Sequence, residues 1–244
     1  MCIRDRLTKR VNSISGIPYR EDPTIFAWEL ANEPRGIDHP QEFVRWVSDS
    51  AQLIKRNAPW QLVTVGSEGT TPYPGVNTLA ADVHAVSDID FFTFHTWIQN
   101  WGRFDPAQPA TFDAGLDFAV AYNNEQIALG KRIGKPIVFE EFGLARDNGS
   151  FDPASTTNLR DRYFDALLSH AFANSRDAGI VSGVSFWAYA GEGRPVAPGG
   201  TWTAEHPLIG DPPHEPQGWY SIYNTDHSTL AVIKRHSEAL KERH

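Results

Sequence analysis

Two glutamates stand where an apolar segment runs out: Glu33 in Asn32-Glu-Pro34, and Glu141 in Glu140-Glu-Phe-Gly143. An ionised carboxylate beside a hydrophobic strand is costly to desolvate, so it is kept there by an ion pair or by chemistry. A lone glutamate of this kind reads equally well as an ion pair at the rim of a sheet. Two on separate segments, with His95 and several tryptophans at comparable positions, fit glycoside hydrolysis, in which one carboxyl donates a proton and the other attacks the sugar. Counting back in twos, Glu141 shares a strand face with Phe139 and Ile137, and Glu140 shares the other with Val138. Glu33 aligns with Ala31, Glu29 and Ala27, and His95 with Thr93 and Phe91. If small side chains mark the interior, Glu33 and His95 point inward, and Glu141 rather than its neighbour is the candidate nucleophile. A bulge at the strand end would break this count.

The elements that must position these groups alternate along the chain. Strands are expected at Thr24–Ala31, Leu62–Val65, Phe91–Phe94, Pro136–Phe139 and Gly183–Trp187, from their β-branched and aromatic content. Helices are expected at Leu7–Ser15, Gln41–Asn57, Ala114–Ile133, Thr157–Ala178 and Leu230–Leu240, several of them closed by Gly or Pro. A Pro- and Gly-rich loop of about forty residues precedes the last helix. No repeat, low-complexity tract or linker divides the chain, so residues 1–244 read as one domain. Such alternation implies parallel strands with helices outside them, as an open doubly wound sheet or as a barrel. No strand is followed by a Gly-rich loop leading into a helix, which counts against a dinucleotide or phosphate site. A complete (β/α)8 barrel typically runs to about 250 residues, yet the chain offers only five strands. A barrel reading therefore leaves about three βα units missing on the amino-terminal side. Residues 1–6 resemble no signal peptide; the expectation is either that they do not belong to the natural protein or that the chain begins mid-domain.

The segments Trp28-Glu-Leu-Ala-Asn-Glu-Pro-Arg35, Phe94-His-Thr-Trp-Ile-Gln-Asn-Trp101, Val138-Phe-Glu-Glu-Phe-Gly143 and Phe186-Trp-Ala-Tyr-Ala-Gly-Glu-Gly193 resemble the carboxyl-terminal part of glycoside hydrolase family five, in particular its bacterial endo-β-1,4-mannanases. The similarity runs from about Arg10 to the end and includes Asp211-Pro-Pro-His-Glu-Pro-Gln-Gly218. It implies an α/β fold, a (β/α)8 TIM barrel truncated at its amino-terminal side, with strands four to eight present. It further implies a retaining double displacement, with Glu33 as acid/base and Glu141 as nucleophile. Asn32 would bond the sugar's 2-hydroxyl, His95 would sit beside the nucleophile, and Trp187 would floor the subsite where the bond breaks. Arg35 points to mannanases and to leaving-group-side binding. Trp97 stands where many relatives carry a tyrosine bonded to the nucleophile; an indole can donate but not accept.

The substrate so implied is mannan, glucomannan or galactomannan, with endo-β-1,4-glucan hydrolysis and a non-catalytic sugar-binding barrel as the rival readings. Trp97, Trp101, Trp187, Trp202 and Trp219 fall at strand ends or in loops, where indoles can stack on sugar faces or plug loops. Trp28, Trp46 and Trp60 read as core or helix-packing residues, and His84 and His170 as packing or surface residues. The loop group Glu205-His206, Asp211 and His214 lacks zinc-type spacing, so no metal is expected there; the resemblance implies no metal and no organic cofactor. The chain has 22 basic and 30 acidic residues, a net charge of −8, and an acidic protein of this kind is no nucleic-acid partner. Its apolar runs are too short to cross a bilayer, and a lone Cys2 excludes a disulfide scaffold. A monomer acting extracellularly or in the periplasm is expected, since the polymer cannot enter a cell intact. With two open strand edges and part of the core removed, this chain by itself is expected to be poorly folded and inactive.

Overall fold

A computed structural model describes residues 2–176 and 179–241. The chain forms two compact units. One holds the residues up to His95 together with Gln126–Val138, and the other holds Thr96–Glu125 and Phe139 onward. The chain passes between them three times: inside β3 (Phe92–Thr96), inside the helix Phe112–Ile133 and inside β4 (Ile137–Phe142).

In the first unit, β1 (Ala27–Glu29) pairs in parallel with β2 (Leu62–Thr64), Trp28 lying opposite Val63. The connection is α2 (Pro40–Asn57), which begins on a proline and presents Phe43, Val47, Ala51 and Ile54 along one face. That stripe packs on Val63, Val65, Val83 and Ile89 to form a continuous buried cluster. The short helix α3 (Ala80–His84) follows β2. Its His84 is fully buried, edge-on to Phe92 with ring centroids 4.7 Å apart, and lies 2.8 Å from the Ala80 carbonyl.

In the second unit, α4 (Phe112–Ile133, of which the part up to Glu125 lies here) and α5 (Asn158–Ala173) provide the larger helices, and α6 (His227–Lys241) packs on α5. Phe142 stacks with Phe139 and lies 4.8 Å from Phe164 of α5. Beneath them two buried guanidiniums share one carboxylate: Arg146 Nη2 lies 2.5 and 2.7 Å from the two oxygens of Asp226, and Arg160 Nη1 3.3 Å from one of them. Burial, and then the charge of Arg146, pull the Arg160 guanidinium down to about 10.

Strands β3, β4 and β5 (Val181–Val184) hydrogen-bond in that order, and a third small sheet joins β6 (Tyr189–Gly191) to β7 (Ile222–Tyr223) in parallel. All five expected strands are present. Among the described residues they form two sheets, β6 and β7 add a third, and no barrel closes. The sequence pattern misses β6 and β7, which are two or three residues long and lie within or just beyond the Pro- and Gly-rich loop. It also misplaces the last expected strand, which ends at Val184 and leaves Trp187 in the following loop.

The first helix, α1, is Cys2–Lys9 rather than Leu7–Ser15. Beyond it Asn12 Oδ1 accepts from the Ile14 and Ser15 N–H groups and Val11 bridges Pro18, a turn that competes with helix. α5 stops at Ala173, short of Ala178, which lies outside the described residues. Trp46 packs on Phe43 as expected, but Trp60 is 92% exposed in the turn from Ala58 to Gln61 that follows α2. No described helix is long and apolar enough to cross a membrane.

Burial depresses the His84 imidazole from its ordinary 6.5 to about 4, with the nearby Lys135 charge acting the same way. The stability gained by keeping it neutral is complete above pH 6.5 and is lost as pH falls from 6.5 through 4, a loss of about 3 kcal/mol. Urea unfolding across this window should show that loss in the native chain, and His84→Gln should flatten it; parallel pH curves for the two would contradict the assignment.

Candidate active site

Each expected catalytic glutamate sits at a local departure from regular strand. Glu33, four residues beyond the end of β1, holds φ of +46°, a conformation rare for a residue with a side chain. Its N–H donates to the Gly66 carbonyl at 2.8 Å, and its Oε1 lies 2.8 Å from Nδ1 of the fully buried His95 on β3. Gly66 is required here: φ is +80°, and a Cβ would fall 2.1 Å from the Ala31 carbonyl oxygen and 2.2 Å from Glu29 Oε1. Glu29 itself, read as inward-facing, is exposed.

A second carboxylate stands behind this one. Glu68, 2% exposed, accepts from Arg35 Nε at 2.5 Å, and the Arg35 guanidinium lies 5.6 Å over the Tyr73 ring. Burial raises the Glu68 carboxyl above the usual carboxylate range, with the nearby charge of Glu33 acting the same way and the Arg35 bond opposing both. The Glu68 bond raises Arg35 in turn. Sequence reasoning passed over Glu68, although Ser67-Glu-Gly69 after β2 repeats the signature of Glu33 and Glu141: a glutamate just past an apolar strand. Asn32 is exposed beside Glu33.

In the second unit, Glu141 lies near the end of β4. The Ser185 N–H bonds Phe139 and the Trp187 N–H bonds Phe142, so three residues of β4 advance against two of the facing segment. One extra residue in this stretch is the geometry of a bulge, and strict period-two counting fails here. Trp97 Nε1 donates to Glu141 Oε2 at 3.2 Å. Trp97, 8% exposed, has its ring centroid 4.9 Å from that of Tyr220, which stacks in turn on Trp219.

The expected tryptophans divide. Trp101 is buried edge-on against Phe118 and Tyr122 of α4 and serves packing. Trp187 and Trp219 are half-buried, and Trp202 anchors its loop by donating to the His206 carbonyl. Asp211, weighed as part of a metal group, is 2% exposed and filled by protein donors: the Gly218 and Tyr220 N–H groups and the Ser221 hydroxyl.

With this geometry the chain was compared with known proteins. The family profile described as "GH family 5 beta-mannosidase-like" matches residues 2–244. The chain belongs to this glycoside hydrolase family. Among curated family members, mannan endo-1,4-β-mannosidase 2 of Arabidopsis thaliana is 31% identical over 204 residues, covering 77% of this chain and 45% of that protein. Among solved structures, a glycoside hydrolase family 5 mannosidase from Rhizomucor miehei superposes with a TM-score of 0.85 at 31% identity, over 98% of this chain and 56% of that one. An endo-β-1,4-mannanase from Thermotoga petrophila gives 0.66 at 26% identity, over 96% and 48%. The chain thus spans about half the length of these family 5 relatives.

Removing the cation from the Glu68 pair leaves a desolvated carboxylate without its strongest partner. Arg35→Met should lower unfolding stability by about 1–3 kcal/mol, and adding Glu68→Gln should restore most of it. Denaturant midpoints check this; an unchanged midpoint in Arg35→Met would contradict the pairing.

Proposed function

We propose that the protein carrying this sequence hydrolyses β-1,4-mannosidic linkages in mannan, glucomannan or galactomannan, acting within the chain and with retention of anomeric configuration. In this reading the five strands β1–β5 are strands four to eight of a (β/α)8 barrel. The observation that carries the reading is that each glutamate has its own hydrogen-bond partner from one short stretch of chain. His95 holds Glu33, and Trp97, two residues on, holds Glu141.

The chemistry divides between them. Glu33 enters protonated and gives its proton to the glycosidic oxygen as the bond to the leaving sugar breaks. Glu141, ionised, attacks the anomeric carbon and forms a glycosyl ester. Glu33, now a carboxylate, takes a proton from water, which attacks the same carbon and releases Glu141. Two inversions give net retention, which requires the carboxyls to act about 5–5.5 Å apart, against about 6.5–9.5 Å for inversion. Arg35, with its guanidinium held by Glu68 and Tyr73, binds on the leaving-group side, Asn32 meets the 2-hydroxyl, and Trp187 supports the reacting sugar. Mannan is favoured over β-glucan by the mannan-hydrolase names of the relatives just given. Because the polymeric substrate cannot enter a cell intact, the activity belongs outside the cytoplasm; the protein is proposed to act as a monomer.

The test is release of reducing sugar from mannan and from a soluble β-1,4-glucan, measured side by side. Mannan should be the better substrate and should yield a mixture of oligosaccharides. Glu33→Gln should lower turnover by about 10²–10⁴, and Glu141→Gln should abolish it. Substantial activity in either variant, or a preference for glucan, would overturn the assignment.

A further inference from the structure

The bond from Trp97 to Glu141 is 3.2 Å, at the long end for N–H···O, so a small rotation of the indole would lose it. That indole packs against Tyr220, carried by a loop far along the chain. The buried Asp211 carboxylate accepts from the Gly218 N–H at 2.8 Å, the Tyr220 N–H at 3.0 Å and the Ser221 hydroxyl at 2.6 Å. Gln217 closes the same loop by donating to the Pro212 and Glu215 carbonyls. The backbone so held carries Tyr220, 1% exposed, whose hydroxyl bonds Asn100 Oδ1 and whose ring meets Trp97 at 47°. Gly143 makes room for the same indole, because a Cβ there would fall 2.9 Å from Trp97 Cζ3.

We propose that Asp211 and Tyr220 are positioning residues for Glu141, acting through Trp97. The Asp211 lock sets the Tyr220 ring, the ring sets the indole, and the indole N–H is kept on the carboxylate. Because an indole donates and cannot accept, a held Trp97 stabilises the ionised form of Glu141, the form that attacks. The catalytic meaning of this clamp rests on the reading of Glu141 as nucleophile; the clamp itself does not.

The experiment follows the indole N–H resonances of the ¹⁵N-labelled chain, with the Trp97 signal assigned by its loss in Trp97→Phe. Asp211→Asn and Tyr220→Leu should each shift that signal and speed its exchange with solvent by about tenfold or more, while the signals of Trp28 and Trp46 stay in place. Tyr220→Phe keeps the ring and should leave Trp97 close to native. An unmoved Trp97 signal in Tyr220→Leu overturns the proposal, and that variant decides if Asp211→Asn unfolds its unit. In protein that turns over mannan, Asp211→Asn should lower kcat about tenfold with KM within about twofold, and should add nothing to Trp97→Phe. Additive losses overturn the route through Trp97. A native chain with the spectral response but no turnover keeps the clamp and overturns the hydrolase reading instead.

Discussion

A carboxylate that ends an apolar strand loses water on one side and must be given donors in exchange. Everything in the proposed site follows from how that demand is met. Glu33 has His95 and Glu141 has Trp97, both from the stretch where β3 runs out. A donor that is buried and packed does two things at once: it offsets desolvation and it fixes the direction in which the carboxyl points. His95 has no exposed surface and Trp97 very little, so neither can swing away without disturbing the core around it.

The same constraint explains the irregular backbone. A regular strand delivers side chains at a fixed alternation, which does not suit a group that must leave the apolar face and reach a donor. At Glu33 the chain adopts a left-handed conformation, tied down by the bond to Gly66. At Glu141 it inserts a residue opposite Ser185–Trp187. The left-handed conformation of Glu33 persists only where surrounding contacts over-determine it, and the Gly66 and His95 bonds are such contacts. Farther out, charge is handled by pairing: Arg35 with Glu68 in one unit, Arg146 and Arg160 with Asp226 in the other.

Much of this was legible in the residue order. Helix α2 shows its stripe from Phe43 to Ile54, and strands β2, β3 and β4 lie where β-branched and aromatic residues cluster between turn signals. The two glutamates stand out because each follows such a segment. What escaped was what depends on distant partners. Glu68 carries the same local signature but sits in a loop rich in Gly and Thr, and only folding brings Arg35 to it. The structural role of Asp211 escaped because its donors are backbone N–H groups from residues seven and nine positions on, which leave no mark in composition. Trp60 reads as core from its type alone, whereas it lies in the turn after α2 and is exposed. The bulge in β4 is invisible to a count that assumes a fixed period.

The central claim is that Glu141 is the atom-to-atom attacker of the sugar, with Glu33 serving the departing oxygen. It is tested most directly by incubating the protein with a 2-deoxy-2-fluoro-β-mannoside bearing an activated leaving group, which slows hydrolysis of a glycosyl ester, and then mapping the added sugar by peptide mass spectrometry. The account predicts one sugar per chain on the peptide containing Glu141. A label on any other residue, or turnover that releases product of inverted configuration with no label, would contradict it.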